Sequence, residues 1–217
     1  MPSISTGISV VTTTWNEGET IEELIQRTRT VLKQYPHEII VIDDSSQDET
    51  IKIAKRLADI AITKPREGQS QGLLYGMKLA KYPLIVTIDA DLENPPEYIP
   101  RLVEQTKEYD IVAASRTEIP RITEKIASKT LGKLLGITDT FSNFRAYKKE
   151  AISELIPRCG ETFGAEFLVI AKKNRLKIGE FMYKPPPRRT NPRIGGTIRA
   201  NLRIIWALMK CLALYFT

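Results

Sequence analysis

The residues best suited to chemistry lie in Thr87-Ile88-Asp89-Ala90-Asp91-Leu92-Glu93, directly after the aliphatic run Leu84-Ile85-Val86. That run reads as a buried strand, and three carboxylates follow it at alternate positions. If the chain stays extended beyond Ile88, its side chains alternate between faces, and Asp89, Asp91 and Glu93 share one. Like charges so placed repel unless a cation lies among them. Hard carboxylate oxygens suit Mg2+ or Mn2+, and such an ion keeps coordination positions for substrate phosphates. Asn94-Pro95-Pro96 then stops the strand, and Pro96 is fit to open a helix.

Two other aliphatic runs end in polar clusters in the same way. Ile8-Ser9-Val10-Val11 leads into Thr12-Thr13-Thr14-Trp15-Asn16-Glu17-Gly18, and Glu38-Ile39-Ile40-Val41-Ile42 leads into Asp43-Asp44-Ser45-Ser46. Thr20 with Glu23 predicts a capping box for a helix whose apolar face is Ile21, Leu24, Ile25, Thr28, Val31 and Leu32. Ser46 with Glu49, or Asp48 itself, predicts a second helix reaching about Leu57. Asp59–Ile62 reads as a short strand, Lys64–Gly68 as a loop and Ser70–Lys81 as a helix. This alternation gives an α/β chain with a mostly parallel central sheet flanked by helices on both faces. Ligands of such sheets bind beyond the carboxyl ends of the strands, so the Thr13–Glu17 turn, Asp43 with Asp44, and Asp89 with Asp91 fall at one edge. No GxGxxG follows the first strand and no GxxxxGK[ST] occurs anywhere, which argues against dinucleotide and P-loop chemistry.

The whole-chain properties are those of one globular unit. The 217 residues are 42% hydrophobic and 27% charged, enough for a sizeable core. Cys159 and Cys211 lie far apart without metal-ligand spacing, as expected of a reducing, cytoplasmic setting. Residues 1–6 lack the pattern of a signal peptide. Charge is uneven. Residues 172–217 hold eleven basic residues against the single acid Glu180, a net +10, which leaves residues 1–171 at −4 of the overall +6. A basic C-terminal quarter suggests an anionic partner or surface.

Four motifs in order now carry a resemblance. They are Val11 with Trp15-Asn16-Glu17, Val41–Asp48, Asp89-Ala90-Asp91-Leu92-Glu93-Asn94-Pro95, and Tyr109–Arg116, followed by Asn143–Glu150 and Ile178-Gly179-Glu180. The set resembles the GT-A, family 2 glycosyltransferases, and among them the dolichyl-phosphate mannose synthases. The resemblance implies a Rossmann-like GT-A fold that moves a sugar from a GDP- or UDP-linked donor onto a dolichyl or other polyprenyl phosphate with inversion. Mannose from GDP-mannose is the leading choice, against UDP-glucose or UDP-GlcNAc. It further implies donor contacts from Thr13, Trp15, Glu17, Asp43, Asp44, Arg66, Ala90, Arg188 and Arg193. Asp89 and Asp91 would bind the metal–diphosphate, with Glu93 as a further ligand. Thr13 stands where proline is common, Trp15 where tyrosine is, and Glu93 where Gln or Ser is frequent, so the nucleotide turn departs from the pattern.

The residue types suit that reaction. A departing nucleoside diphosphate gathers charge that a carboxylate-held divalent cation offsets. A phosphate-monoester acceptor is largely dianionic at pH 7 and needs cations rather than a general base. Arg116 and Arg145 are the candidates, since an arginine fork matches phosphate oxygens. A hydroxyl acceptor would instead need a base such as Glu166. Glu166 itself is expected to pair with one of the arginines, and His37, the only histidine, sits at the opposite edge as a surface residue. A sugar-nucleotide pyrophosphorylase would want a Gly-rich basic loop after the first strand, which Thr12–Gly18 is not. A basic nucleic-acid- or membrane-binding module would leave the acidic strand ends unexplained, and neither a nucleic acid nor an obligate protein partner is expected.

Two segments look made for a membrane surface. Arg121, Lys125, Lys129 and Lys133 recur every fourth residue, with Ile122, Ile126, Thr130 and Leu134 one step behind. In Thr197–Phe216, Arg199, Arg203 and Lys210 fall within about 40° of one another on a helix of otherwise apolar residues. Its apolar run is shorter than the roughly 20 residues that span a bilayer. The expected organisation is a catalytic segment 1–196 and a surface helix 197–217, peripheral on the cytoplasmic face of a membrane.

Overall fold

The protein is represented by a computed structural model that describes residues 6–119, 121–162, 164–186 and 197–217. Among the described residues one sheet has seven strands: β1 (Ile8–Thr14), β2 (His37–Asp43), β3 (Ile60–Thr63), β4 (Leu84–Thr87), β5 (Ile111–Arg116), β6 (Arg145–Lys148) and β7 (Ile178–Tyr183). Their order is β3-β2-β1-β4-β6-β5-β7. Only β6 runs against its neighbours, between β4 and β5; β1, β2, β3 and β4 are mutually parallel, as are β5 and β7. The α/β reading of the sequence holds, with one antiparallel strand added.

The helices are α1 (Ile21–Val31), α2 (Thr50–Leu57), α3 (Gln69–Leu79), α4 (Ile99–Gln105), α5 (Ile122–Ala127), α6 (Lys133–Leu135), α7 (Lys149–Ile152), α8 (Ala165–Lys173) and α9 (Thr197–Phe216). Residue alternation in the strands feeds two cores. Ile8, Val10 and Val86 pack with Ile21, Leu24, Ile25, Leu102 and Val103 of α1 and α4 on one face. Val11, Ile40 and Ile42 pack with Leu73, Met77, Leu168, Leu208 and Cys211 of α3, α8 and α9 on the other. Gly76 lets α3 lie against the sheet: a Cβ there would collide with Val11 Cγ1 and come within 3.1 Å of Ile42 Cγ1.

Helix starts differ from the expected capping boxes. The Thr20 hydroxyl turns back to Glu17, donating to its carbonyl at 3.3 Å and its Oε2 at 3.1 Å, while Glu23 pairs with Arg27. At α2 it is Asp48 that serves the first turn, accepting from the N–H and the hydroxyl of Thr50. From Ile122 to Leu135 the chain stays helical through a π segment at Ser128–Gly132 and ends at Gly136 with φ +78°. Ala127, Leu131 and Leu135 face inward, whereas Ile122 and Ile126 face solvent, 75% and 49% exposed.

Helix α9 is two-faced. Ile204, Ala207, Leu208 and Cys211 lie in the core, while Leu202, Ile205, Trp206, Met209 and Phe216 are exposed. It adjoins α5, where Thr123 donates to Asn201 Oδ1 at 2.7 Å. No helix among the described residues is long and apolar enough to cross a membrane. Along α9 Lys210 Nζ donates to the Cys159 carbonyl at 2.6 Å, and the exposed Arg203 lines a cavity on the sheet edge.

Candidate active site

The carboxyl ends of β1, β2 and β4 converge as expected. A 440 Å³ cavity there is lined by Thr13, Thr14, Trp15, Glu17, Asp44, Arg66, Glu67, Gly68, Gln69, Glu161 and Arg203. Five residues expected at the donor, Thr13, Trp15, Glu17, Asp44 and Arg66, therefore share one wall. The Arg66 guanidinium stacks 3.5 Å above the Trp15 ring, a cation–π contact on a face that also suits a base. Asp44 anchors the loop that brings Arg66 there: it accepts from Lys64 Nζ at 2.6 Å, Glu67 N at 2.9 Å and Gly68 N at 3.0 Å. Burial opposes its charge, but Lys64 and the two amides prevail and hold its pKa below the ordinary value. Asp43 has a different place. Fully buried, it accepts from Thr14 and Ser46 side chains and from Ser46 N, so it builds the turn and does not reach the cavity.

The acidic turn departs from simple alternation. Strand β4 ends at Thr87, and Leu92 has φ +61° with its side chain buried. The three acids come near one another through that turn and not along an extended strand. Asp89 Oδ1 accepts from Gln69 Nε2 at 2.5 Å and its Oδ2 from Asn94 Nδ2 at 2.7 Å. Asn94 in turn receives the Tyr183 hydroxyl. Asp91 accepts from Glu93 N at 3.0 Å. Burial first, then the charge of Asp91, push the Asp89 pKa up to about 7, against the Gln69 hydrogen bond and the charge of Arg116. Ala90 is buried within the turn.

Arg116 closes the other side. Its Nε lies 2.6 Å from Asp139, one terminal nitrogen 3.5 Å from Glu124 and the other 3.9 Å from Glu93. Burial works against its charge, yet Asp139 and Glu124 more than offset this and raise its pKa, so it is a permanent cation. A second cavity, 600 Å³, is lined by Glu93, Arg116, Thr117, Glu118, Ile119, Lys125, Pro185 and Pro186.

Arg145 does not join this cluster. It is 0% exposed, donates to the carbonyls of Gly164 at 2.7 Å and Thr140 at 2.9 Å, and lines a separate small cavity with Asn143, Gly164 and Glu166. Among the described residues Glu166 meets no arginine side chain; it accepts the N–H groups of Arg158 and Cys159. His37 is half-buried at the start of β2, facing the Tyr35 carbonyl at 2.9 Å. Arg188 and Arg193 lie outside the described residues. The sequence reading missed Gln69, Asn94, Glu124, Asp139, Glu161 and Arg203. Most are amides and acids brought to the edge by other elements, and only the helix start at Gln69 hinted at its position.

Among the described residues no three His, Cys, Asp or Glu side chains are grouped to hold an ion by themselves. The donor set nevertheless fits a hard cation shared with a diphosphate. Asp91 and Glu93 lie close enough to Asp89 to disfavour its charge, and Mg2+ or Mn2+ sites of that kind use one or two carboxylates plus phosphate and water.

A model of the Glycosyl transferase family 2 matches residues 9–162. The dolichol-phosphate mannosyltransferase of Pyrococcus furiosus is 34% identical over 226 residues, covering 94% of this chain and 64% of that protein. An undecaprenyl-phosphate 4-deoxy-4-formamido-L-arabinose transferase of Pectobacterium atrosepticum is 34% identical over 171 residues, covering 71% of this chain and 52% of its own. The chain thus spans between about half and two thirds of these relatives. Glucosyl-3-phosphoglycerate synthase of Mycobacterium tuberculosis, solved with Mn2+, UDP and glucosyl-3-phosphoglycerate, shares the fold with a TM-score of 0.79 over 96% of this chain and 80% of that one, at 22% identity.

The raised pKa of Asp89 has a measurable sign. In the metal-free protein its folded pKa, about 7, exceeds the ordinary 3.8. Its contribution to stability is then full below about pH 4 and is lost as pH rises through about 7. Asp89→Asn should flatten that part of the thermal-midpoint profile between about pH 4 and 7, and parallel profiles for the two proteins would refute the assignment.

Proposed function

We propose that this chain, which belongs to glycosyl transferase family 2, transfers a sugar from a nucleotide-sugar onto a polyprenyl phosphate. The observation that carries the reading is the pair of cavities flanking the acidic turn. One is lined by Trp15, Arg66 and Asp44, and the other by Arg116 and Lys125. The first suits a nucleoside diphosphate in size and lining. In the second, cations meet a cavity large enough for a phosphate head group.

In this account Trp15, with Arg66 stacked on it, and Thr13, Glu17 and Arg203 bind the nucleotide, while Asp44 holds the Arg66 loop in place. Asp91, with Asp89 and Glu93 beside it, would hold Mg2+ or Mn2+, which when bound offsets the charge gathering on the departing diphosphate. Gln69 and Asn94 keep the Asp89 carboxylate oriented. An oxygen of the acceptor phosphate bonds to the sugar's anomeric carbon as the bond to the nucleoside diphosphate breaks, with inversion. Arg116 orients the acceptor, and no side chain need take a proton because the phosphate is already ionised. A hydroxyl acceptor is less favoured, since both oxygens of Glu166 already accept backbone N–H groups.

GDP-mannose is the donor we assign first, following the Pyrococcus furiosus relative, with UDP-glucose and UDP-GlcNAc as the competing choices. A direct test incubates each donor with Mg2+ or Mn2+ and a short polyprenyl phosphate. We expect nucleoside diphosphate release that needs both metal and lipid, reduced at least about 100-fold in Asp91→Asn, the scale of losing one transition-state charge contact. Release indifferent to the lipid would overturn the acceptor.

We assign the protein to the cytoplasmic face of a membrane, with residues 1–196 catalytic and 197–217 at the surface. Leu202, Ile205, Trp206 and Met209 are exposed on α9, and Ile122, Ile126, Lys125 and Lys129 are exposed on the adjoining α5 and the helical segment after it, with Thr123 bonded to Asn201 across the two helices. Apolar side chains beside lysines suit an anionic interface. Truncating α9 would open the core, so surface changes are the better probe. Trp206→Asp with Met209→Asp should release the protein from vesicles containing anionic lipid while leaving nucleotide binding intact. Unchanged co-sedimentation would refute the surface assignment.

A further inference from the structure

Arg116 stands between two carboxylates fixed by the fold and one on the acidic turn. Asp139, 2% exposed, lies 2.6 Å from its Nε, and its own N–H donates to Ser115 Oγ at 3.0 Å. Glu124, also buried, lies 3.5 Å from Nη2 and is held a second time by Arg121 at 2.9 Å. Glu93 differs from both in lying farthest away and on the cavity. Its carboxylate is 3.9 Å from Nη1, beyond hydrogen-bond range, and faces the 600 Å³ cavity that Arg116 also lines.

We infer that Glu93 is a positioning residue that covers Arg116 Nη1 until the donor's diphosphate and its cation occupy the acidic turn, so that acceptor affinity depends on donor. The inference rests on the polyprenyl-phosphate reading above. A guanidinium offers its N–H groups in a planar fork. Here Asp139 accepts from Nε and Glu124 lies against Nη2 as an ion pair, which leaves the Nη1 edge toward the cavity. A carboxylate and a phosphate compete for that edge, since both present oxygen anions to it.

The longest of the three contacts, and the only one of these carboxylates that lines the cavity, is the one most readily exchanged. Glu93 lies two residues from Asp91 on the same turn, so positive charge arriving at Asp89 and Asp91 attracts it away from Arg116. Asp139 and Glu124 stay in place, so Arg116 keeps its position while Nη1 becomes available to a phosphate oxygen. Coupling between two ligands is reciprocal, so a bound acceptor must equally strengthen donor binding.

The test is calorimetric titration of farnesyl phosphate below its micelle concentration, into wild type and Glu93→Gln. Each is measured alone and with saturating Mn2+ and the nucleoside diphosphate of the working donor, saturation being verified by Trp fluorescence. In wild type we expect acceptor affinity to rise at least tenfold with metal and nucleotide present. In Glu93→Gln the donor-free affinity should rise to near the donor-bound value, and the ratio should fall toward one. A general effect of removing one negative charge would strengthen binding equally in both states and keep the ratio, which would overturn the inference. So would a wild-type affinity indifferent to donor. Absence of farnesyl phosphate binding by either protein in either state would instead sink the polyprenyl-phosphate reading on which the inference stands.

Discussion

Carboxylates gathered at one edge of a sheet repel one another, and most of the site's architecture answers that repulsion. Asp89, Asp91 and Glu93 occupy one turn, and Glu124 and Asp139 approach it from the opposite side. Arg116 sits where they meet, and its charge lowers the cost of ionising Asp89. Burial alone would favour a neutral acid at Asp89, as its raised pKa shows. A turn left electron-rich in this way is ready for a divalent cation arriving with its own phosphates.

The loops depend on the same edge. Asn16 N donates to Ser46 Oγ at 2.8 Å, Glu17 N to Thr50 Oγ1 at 2.8 Å and Gly18 N to Asp48 at 3.0 Å, which sews the turn after β1 to the turn after β2. Asp44 then ties the second turn to the loop carrying Arg66. At the start of α3, Glu161 accepts from Ser70 N at 3.1 Å and from its hydroxyl at 2.6 Å, bringing the segment before α8 to the same cavity. The donor cavity is therefore assembled from segments far apart in sequence but held by short polar contacts, so its walls are preorganised.

Much of this was legible beforehand for one reason: aliphatic runs that end in polar residues mark both the strands and the edge where they finish. That β1, β2 and β4 end at one edge, and that Thr13, Trp15, Glu17, Asp44 and Arg66 cluster there, follow from that signal and from the family resemblance. Three features did not follow. Leu92 adopts a left-handed φ, as do Asn16 and Ser45 in the neighbouring turns, and no propensity singles out a leucine for it. Arg145 and Arg116 are alike as residues, yet carbonyls bury one while carboxylates frame the other, a distinction made by tertiary contacts. The basic periodicity of α9 was real in sequence, but it did not show that Lys210 bonds to the Cys159 carbonyl or that Arg203 lines the cavity at the strand ends.

The most direct measurement determines the masses of both products from one reaction with a single donor, Mn2+ and a polyprenyl phosphate. The account predicts a lipid carrying one phosphorus and one sugar, matched by an equal amount of nucleoside diphosphate, because the bond broken lies between the anomeric carbon and the diphosphate. A lipid with two phosphorus atoms accompanied by nucleoside monophosphate, or donor split with no lipid product at all, would contradict it.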